Sequence, residues 1–412
     1  MSEREDAATG SKPASPGASG GSPLLPLFLT VLVDVMGLTI MIPILPRIAT
    51  TYGATPLVAT SLFACYSACQ LIAGPVLGRI SDRVGRKPTL LVSQLGTFAS
   101  LVLLATVHRL ELLFVARIID GLTAGNLSIA QAYITDVTKP ENRTRAFGLI
   151  GIAFGIGFTV APALAGKLAE LYGTQSPMFM AAGFSALSVV LTATLLPAIA
   201  PKGGVAPKRT ELFKRYMGPG PTRGRLLEMF AFTWSFSTLT SGFSLVMARR
   251  YHYEVGETGY LFAYIGVIGG VVQGGLGRAS KALGDGRLSI AGLVLMVAGY
   301  LVLSSATTLA ILLVALGIGA IGSAVARPAL TTLLTKSVPA DEQGLTLGIN
   351  QSLSAIALMG APLVGGFLIG RDAFVAWALV AALFATVAIA VRVVLPPSPV
   401  TSEKETRGPE AV

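Results

Sequence analysis

Charge is scarce in this chain: Asp, Glu, Lys and Arg together make up 13% of its 412 residues, against 52% hydrophobic residues and a mean hydropathy of +0.70. A water-exposed fold with so little charge would aggregate, so the outer surface is expected to face hydrocarbon. Cysteine is nearly absent as well. The two present, Cys65 and Cys69, stand four apart in one apolar run, which supports neither a disulfide framework nor a thiolate metal site and suits small packing residues. The two histidines, His108 and His252, are too few and too close to the ends of apolar runs to serve as metal ligands or as the main proton relay. The pattern GxxxxGK[ST] does not occur, so ATP is not expected to drive any activity and no cofactor is implied. A nucleophile with an adjacent base is missing too, which argues against an enzyme.

Glycine, by contrast, is abundant, with 47 residues, and apolar runs of about twenty residues recur throughout. They predict twelve membrane-spanning helices near 24–47, 56–77, 88–107, 110–135, 146–169 and 177–197, then 226–248, 257–276, 288–306, 309–335, 344–370 and 373–395. The expected fold is an all-α integral membrane protein of two six-helix bundles, 23–197 and 226–395, flanked by a disordered tail at 1–22 and a second tail at 396–412. The first apolar run is too long, and lacks the cleavage site, for a signal peptide. Residues 198–225 carry seven basic residues against one acid, Glu211, and read as a linker between the bundles. The net charge of +10 belongs to such short loops rather than to a patch with interleaved aromatics, so it reads as a topology signal and not as nucleic-acid binding. With both termini cytoplasmic, 23 of the 31 Lys and Arg fall inside, six outside and two within spans. A cell (plasma or inner) membrane is the expected location.

The two halves repeat. GRISDRVGRKPTL at Gly78 to Leu90 has a weaker copy, GRASKALGDGRLS, from Gly277, 199 residues later; Pro140 and Pro339 keep the same offset, and APALAG from Ala161 returns as APLVGG from Ala361. Half-length self-similarity of this kind is typical of transporters built from structural repeats. The basic turn, the run RIIDGLTAG from Arg117 and the proline-centred GFTVAPALAG from Gly157 resemble the signature motifs of the major facilitator superfamily. DVMGLTIMIPILP from Asp34 and AYITDVTKPENRTRAFG from Ala132 resemble more closely its twelve-helix drug/proton antiporters, the tetracycline efflux branch in particular.

In the basic turn, Gly78 and Gly85 are expected to let the backbone turn tightly, while Arg79, Arg83, Arg86 and Lys87 face anionic headgroups and helix carboxyl ends. Loop orientation alone explains the arginines but not Asp82. The family resemblance implies that Asp82 faces the amino end of the eleventh span, near Gln343, as a conformational latch formed by Gly78, Asp82, Arg83, Gly85 and Arg86. In the fifth span Gly151, Gly155, Gly157, Ala161, Pro162, Ala165 and Gly166 form a small-residue stripe that admits a neighbouring backbone. Within the superfamily such a stripe goes with antiport; here Ala161 replaces the usual glycine, and helix packing explains the stripe equally well.

Charges inside the hydrocarbon cost about 2.5–3.5 kcal/mol each and persist with a partner or a use. Asp34, about ten residues into the first span, falls near the midplane and is the first candidate for a protonation switch. Asp120 is the second, although a salt bridge to Arg117, three residues away, accounts for it as well; Ala124, Ser128 and Gln131 continue that face as a polar stripe along an interior cavity. Arg327 reads either as a cavity residue of the second half or as a helix-end cap. Gln70, Gln94, Asn126, Gln273, Asn350 and Gln351 suit interhelical hydrogen bonds, Asn350 also the cavity; Phe232, Trp234, Phe236, Tyr260 and Tyr264 suit a cavity wall or ordinary packing. The expected function is alternating-access, proton-coupled efflux of small amphipathic or drug-like molecules by a monomer, its partners being the substrate, protons and the bilayer. Proton-coupled symport or uniport of a metabolite, with Arg117 and Arg327 holding an anion, is the alternative; a non-transporting receptor or membrane enzyme is the remote one.

Overall fold

The computed structural model describes residues 24–138, 143–199, 217–218, 220–339 and 342–395, so the tails at 1–22 and 396–412 and most of the linker lie outside the described residues. Thirteen α-helices are described. The first half contains α1 (Leu24–Thr51), α2 (Pro56–Val84), α3 (Arg86–Thr106), α4 (Leu110–Leu122), α5 (Asn126–Val137), α6 (Arg143–Tyr172) and α7 (Ser176–Leu195). The second contains α8 (Pro221–Tyr251), α9 (Val255–Leu283), α10 (Asp285–Ser304), α11 (Leu309–Lys336), α12 (Gln343–Gly370) and α13 (Phe374–Val394). The expected fourth span is the pair α4 and α5. It breaks because Thr123–Gly125 is clasped by α3: the Gly125 amide donates to Ser93 Oγ at 2.9 Å, the Ser93 hydroxyl donates to the Thr123 carbonyl, and the Thr123 side chain fills the space beside Gly96. A broken helix is tolerated at membrane depth where its freed backbone groups find partners inside the protein.

Eleven spans are long and apolar enough to cross a membrane among the described residues. The twelfth, α8, is 31 residues long but too polar to qualify, and it begins at Pro221 rather than at 226. Its Ser, Thr, Arg and Glu side chains are largely buried against α1, α11, α12 and α13, so the helix does not need an apolar surface toward lipid.

The sequence repeat is also a repeat of contacts. Gly85 and Gly284, 199 residues apart, both take positive φ, +112° and +77°, and each caps one helix while opening the next. Gly78 has no turning role: it lies within α2, which continues helically to Val84, and only Gly85 makes the turn. Arg86 at the start of α3 pairs with Asp136 at the end of α5 at 2.8 Å; at the equivalent positions Asp285 of α10 pairs with Lys336 of α11 at 2.7 Å, with the charges exchanged. Gly166 of α6 packs on Gly259 of α9, and its repeat mate Gly366 of α12 packs on Thr60 of α2.

The core differs between the two faces. On the face formed by the 52–55, 107–109, 173–175, 252–254 and 371–373 connections, here the far face, both halves share one hydrophobic cluster that includes Ile44, Leu45, Leu62, Ala165, Val246, Phe262 and Trp377. Toward the opposite, basic face the core divides into one cluster from the first half, around Leu27, Tyr133 and Ile150, and one from the second, around Phe232, Leu330 and Ala385. The hydrophobic core is therefore shared between the halves at the far face and divided between them toward the basic face, where Gly344 of α12 still stands beside Thr135 of α5.

Candidate functional site

The space between the halves is a cavity of about 870 Å³, lined from Gly74, Gly148, Lys336 and Gln343 near the basic face to Phe63, Phe243 and Phe262 near the far face. A volume of this order accommodates a drug-sized molecule. Asp34, Arg117, Asp120, Ser128, Gln131, Phe236, Arg327 and Asn350 all line it.

On the first half Asp34 projects from α1 about 15 Å along the 28-residue helix, roughly a third of the way from the basic face. Its carboxylate accepts from Gln94 Nε2 at 3.3 Å, and the same amide nitrogen donates to Ser188 Oγ at 2.7 Å, which ties α1 to α3 and α7. No cation faces Asp34 among the described residues within ion-pair distance. Arg117 and Asp120 form a buried ion pair at 2.7 Å; the guanidinium also lies 4.5 Å over the ring of Tyr66 and donates to Met41 Sδ at 3.0 Å. The two terminal nitrogens of Arg117 thus have protein partners, while its buried Nε has none among the described residues.

Arg327 stands inside α11, nine residues before its end at Lys336, in the cavity wall rather than at a helix terminus. Its guanidinium lies 4.7 Å from the centre of the Phe236 ring and 5.6 Å from that of Phe232. Phe236 in turn meets Phe158 of α6, edge to face at 6.3 Å, where the two halves come together. Trp234 is not a cavity residue. It stacks on Phe384 at 4.7 Å and fills the space beside Gly360, because its position on α8 faces α12 and α13. Tyr260 and Tyr264 do not line the cavity either; the Tyr260 hydroxyl donates to Glu170 and that of Tyr264 to the Leu313 carbonyl. Among the amides, Gln70, Asn126, Gln273 and Gln351 join Asn350 in the lining.

The latch residues lie at the basic end of α2. Asp82 pairs with Arg86 of its own turn at 2.5 Å, Arg83 is exposed, and the Gln343 side-chain amide donates to the Thr335 carbonyl at 3.2 Å. Among the described residues no hydrogen bond joins Asp82 to the amino end of α12, where Gly344 stands beside Thr135 of α5. In the stripe of α6, Gly157 lies against Val35 and its carbonyl accepts from Thr39 Oγ1 at 3.1 Å; Ala161 is fully buried, the Pro162 carbonyl approaches Gly259, and Gly166 meets the α9 backbone. Across the far face Arg47 of the first half reaches Glu254 at 3.5 Å and the Tyr253 carbonyl at 3.1 Å in the second.

One cluster was not anticipated from the sequence. Glu228, fully buried in α8, pairs with Arg225 at 2.8 Å and with Arg392 of α13 at 3.2 Å, and Arg392 also donates to Ser289 of α10 at 2.7 Å. The spacing of Arg225 and Glu228 repeats that of Arg117 and Asp120, and reading it as a helical pair would have found the cluster.

Two helical bundles around a central cavity are the architecture of a membrane transporter and not of an enzyme. The Major Facilitator Superfamily model matches residues 27–275 and 225–412, and the chain belongs to that superfamily. It is 29% identical to the class C tetracycline resistance protein of Escherichia coli over 388 residues, covering 88% of this chain and 94% of that one. It is 27% identical to multidrug resistance protein 1 of Bacillus subtilis, covering 90% and 94%. Among solved structures it is similar in fold to the human organic anion transporter MFSD10, with a TM-score of 0.70, 22% identity and coverage of 89% and 98%, and to the nucleoside transporter NupG, with a TM-score of 0.71, 13% identity and coverage of 91% and 99%.

Proposed function

We propose that this transporter exports small amphipathic, drug-like molecules in exchange for protons, with Asp34 as the coupling carboxylate. The observation that carries the reading is a carboxylate inside a span, in the wall of a drug-sized cavity, held by the neutral amide of Gln94 and by no cation among the described residues. Such a group gains or loses a proton according to which face the cavity meets, and its charge then favours one facing state over the other. Asp120 is a weaker candidate because Arg117 compensates it directly. The excess of Lys and Arg at the basic face makes that face cytoplasmic, so the conformation described here is inward-open. A monomer in the plasma or inner membrane, with both termini in the cytoplasm, fits the same reading. The resistance proteins among its relatives support export of drugs. Symport or uniport of an anionic metabolite is the second reading, favoured by Arg327, a cavity cation without an acid partner among the described residues. Purified protein in liposomes distinguishes them: a substrate gradient drives proton movement in the opposite direction under antiport, in the same direction under symport, and none under uniport.

A further inference from the structure

At the basic face, away from the central cavity, the ends of α8, α10 and α13 gather more buried positive charge than they balance. Arg225 and Arg392, with side chains 7% and 11% exposed, share the one carboxylate of Glu228, at 2.8 and 3.2 Å. Arg392 also donates to Ser289 Oγ; among the described residues nothing else accepts a hydrogen bond from either guanidinium. The acid at the start of α10, Asp285, is taken by Lys336 and Ser280. Two arginines on one carboxylate leave one positive charge over, and holding it out of water is costly unless a further anion meets it.

The place beside Arg392 lacks a side chain. A Cβ at Gly286 of α10 would stand 2.9 Å from Arg392 Nη2, so that nitrogen lies against bare backbone. The first half fills the same place differently: 199 residues before Gly286 and Arg392 stand Lys87 and Ala193, and the Lys87 ammonium donates to the Ala193 carbonyl at 2.8 Å. There the cation is satisfied within the chain. We propose that the basic-face ends of α8, α10 and α13 form a binding site for a phosphate group, with Arg225 and Arg392 as its donors beside Gly286. The paired N–H donors of a guanidinium match phosphate oxygens, and Glu228 fixes both arginines while neutralising only one. Arg287, next to Gly286, is exposed and adds positive charge there. A lipid headgroup and a free phosphate both bring this chemistry to a basic membrane face.

The test is the thermal unfolding midpoint of purified, delipidated full-length protein in neutral detergent at pH 7, with four additions: inorganic phosphate, chloride at matched ionic strength, phosphatidylglycerol, and diacylglycerol with the same acyl chains. The wild type is expected to gain about 2 °C or more with phosphatidylglycerol over diacylglycerol, or with phosphate over chloride. A gain from the phospholipid alone assigns the site to a lipid headgroup; a gain from phosphate as well assigns it to a free phosphate group. Two variants balance the charge by different routes: Arg225→Gln leaves one arginine on Glu228, and Gly286→Glu brings a carboxylate to Arg392 from within the chain. Both are expected to abolish the gain, and Arg225→Lys to retain part of it. Gly286→Glu lies in the first turn of its helix and carries the test if Arg225→Gln does not fold. No gain in the wild type from either phosphate compound, or a gain of full size in the folded variants, overturns the assignment.

Discussion

Gly166→Ala is the most direct mechanical test of how the far face is held shut. A Cβ at Gly166 would stand 2.9 Å from the Gly259 Cα, 3.1 Å from the Gly256 carbonyl oxygen and 3.4 Å from that of Val255. All three are backbone atoms, so no rotamer change relieves the crowding. Carbon atoms in contact sit about 3.5–4.0 Å apart, so α6 and α9 must separate by roughly 0.5–1 Å. Overpacking of that kind costs about 1–3 kcal/mol, and because it acts only where the far face is closed, it shifts the facing equilibrium about 5–150-fold toward the state open at that face. Gly151→Ala on the same helix meets nothing within 4 Å and supplies the control. Both substitutions raise helix propensity by about 1 kcal/mol, so the difference between them isolates the clash. The assay is alkylation of a reporter, Ser128→Cys, in a Cys65→Ser, Cys69→Ser background, by an impermeant maleimide applied to each face of oriented vesicles. Gly166→Ala should raise labelling from the far face and lower it from the basic face, with Gly151→Ala like the parent. Identical labelling ratios for all three would refute the claim that the Gly166–Gly259 contact closes the transporter.

Removing one member of the Arg117–Asp120 pair should cost about 3–5 kcal/mol by leaving a buried charge alone, whereas Arg117→Gln combined with Asp120→Asn should recover much of the loss; thermal unfolding of the three variants measures this. Glu228→Gln should destabilise by a similar amount, since it leaves Arg225 and Arg392 without their buried anion, and folded yield after extraction will show it. A latch between Asp82 and the amino end of α12, worth about 1 kcal/mol, predicts that Asp82→Asn slows transport while leaving substrate binding from the basic face intact. Unchanged flux and unchanged accessibility at both faces would count against that latch.

Much of the architecture was legible because membrane burial imposes a coarse code. Apolar runs of twenty residues and basic loops at fixed intervals gave the bundles, and the 199-residue offset gave their relation. The break after Leu122 escaped this code, since it depends on Ser93 from another helix and not on a proline or an apolar gap. The polar helix α8 was read as a span despite its serines and threonines, yet its start was placed late because Arg223 and Arg225 look like linker residues until Glu228 and Arg392 are seen beside them. At the site, residue type identified Asp34, Arg117, Asp120 and Arg327 as unusual at their depth. Which of them were already paired required the fold: Arg117 and Asp120 share one helix and could be matched by spacing, while the Gln94 contact to Asp34 and the aromatic seat of Arg327 are made between helices. Trp234 shows the converse failure, because an aromatic residue on a cavity helix is as easily turned to its neighbours as to the cavity.

The central claim is that Asp34 carries the coupled proton, and proton movement in liposomes loaded with purified protein tests it most directly. Asp34→Asn keeps the size and the Gln94 neighbour but is neutral at every pH, so substrate-driven proton flux should vanish while exchange of substrate for substrate continues without a gradient. The Asp120→Asn protein, measured beside it, should remain coupled to the extent that it folds. Full proton coupling in Asp34→Asn, with the wild-type dependence of flux on pH, would contradict the account.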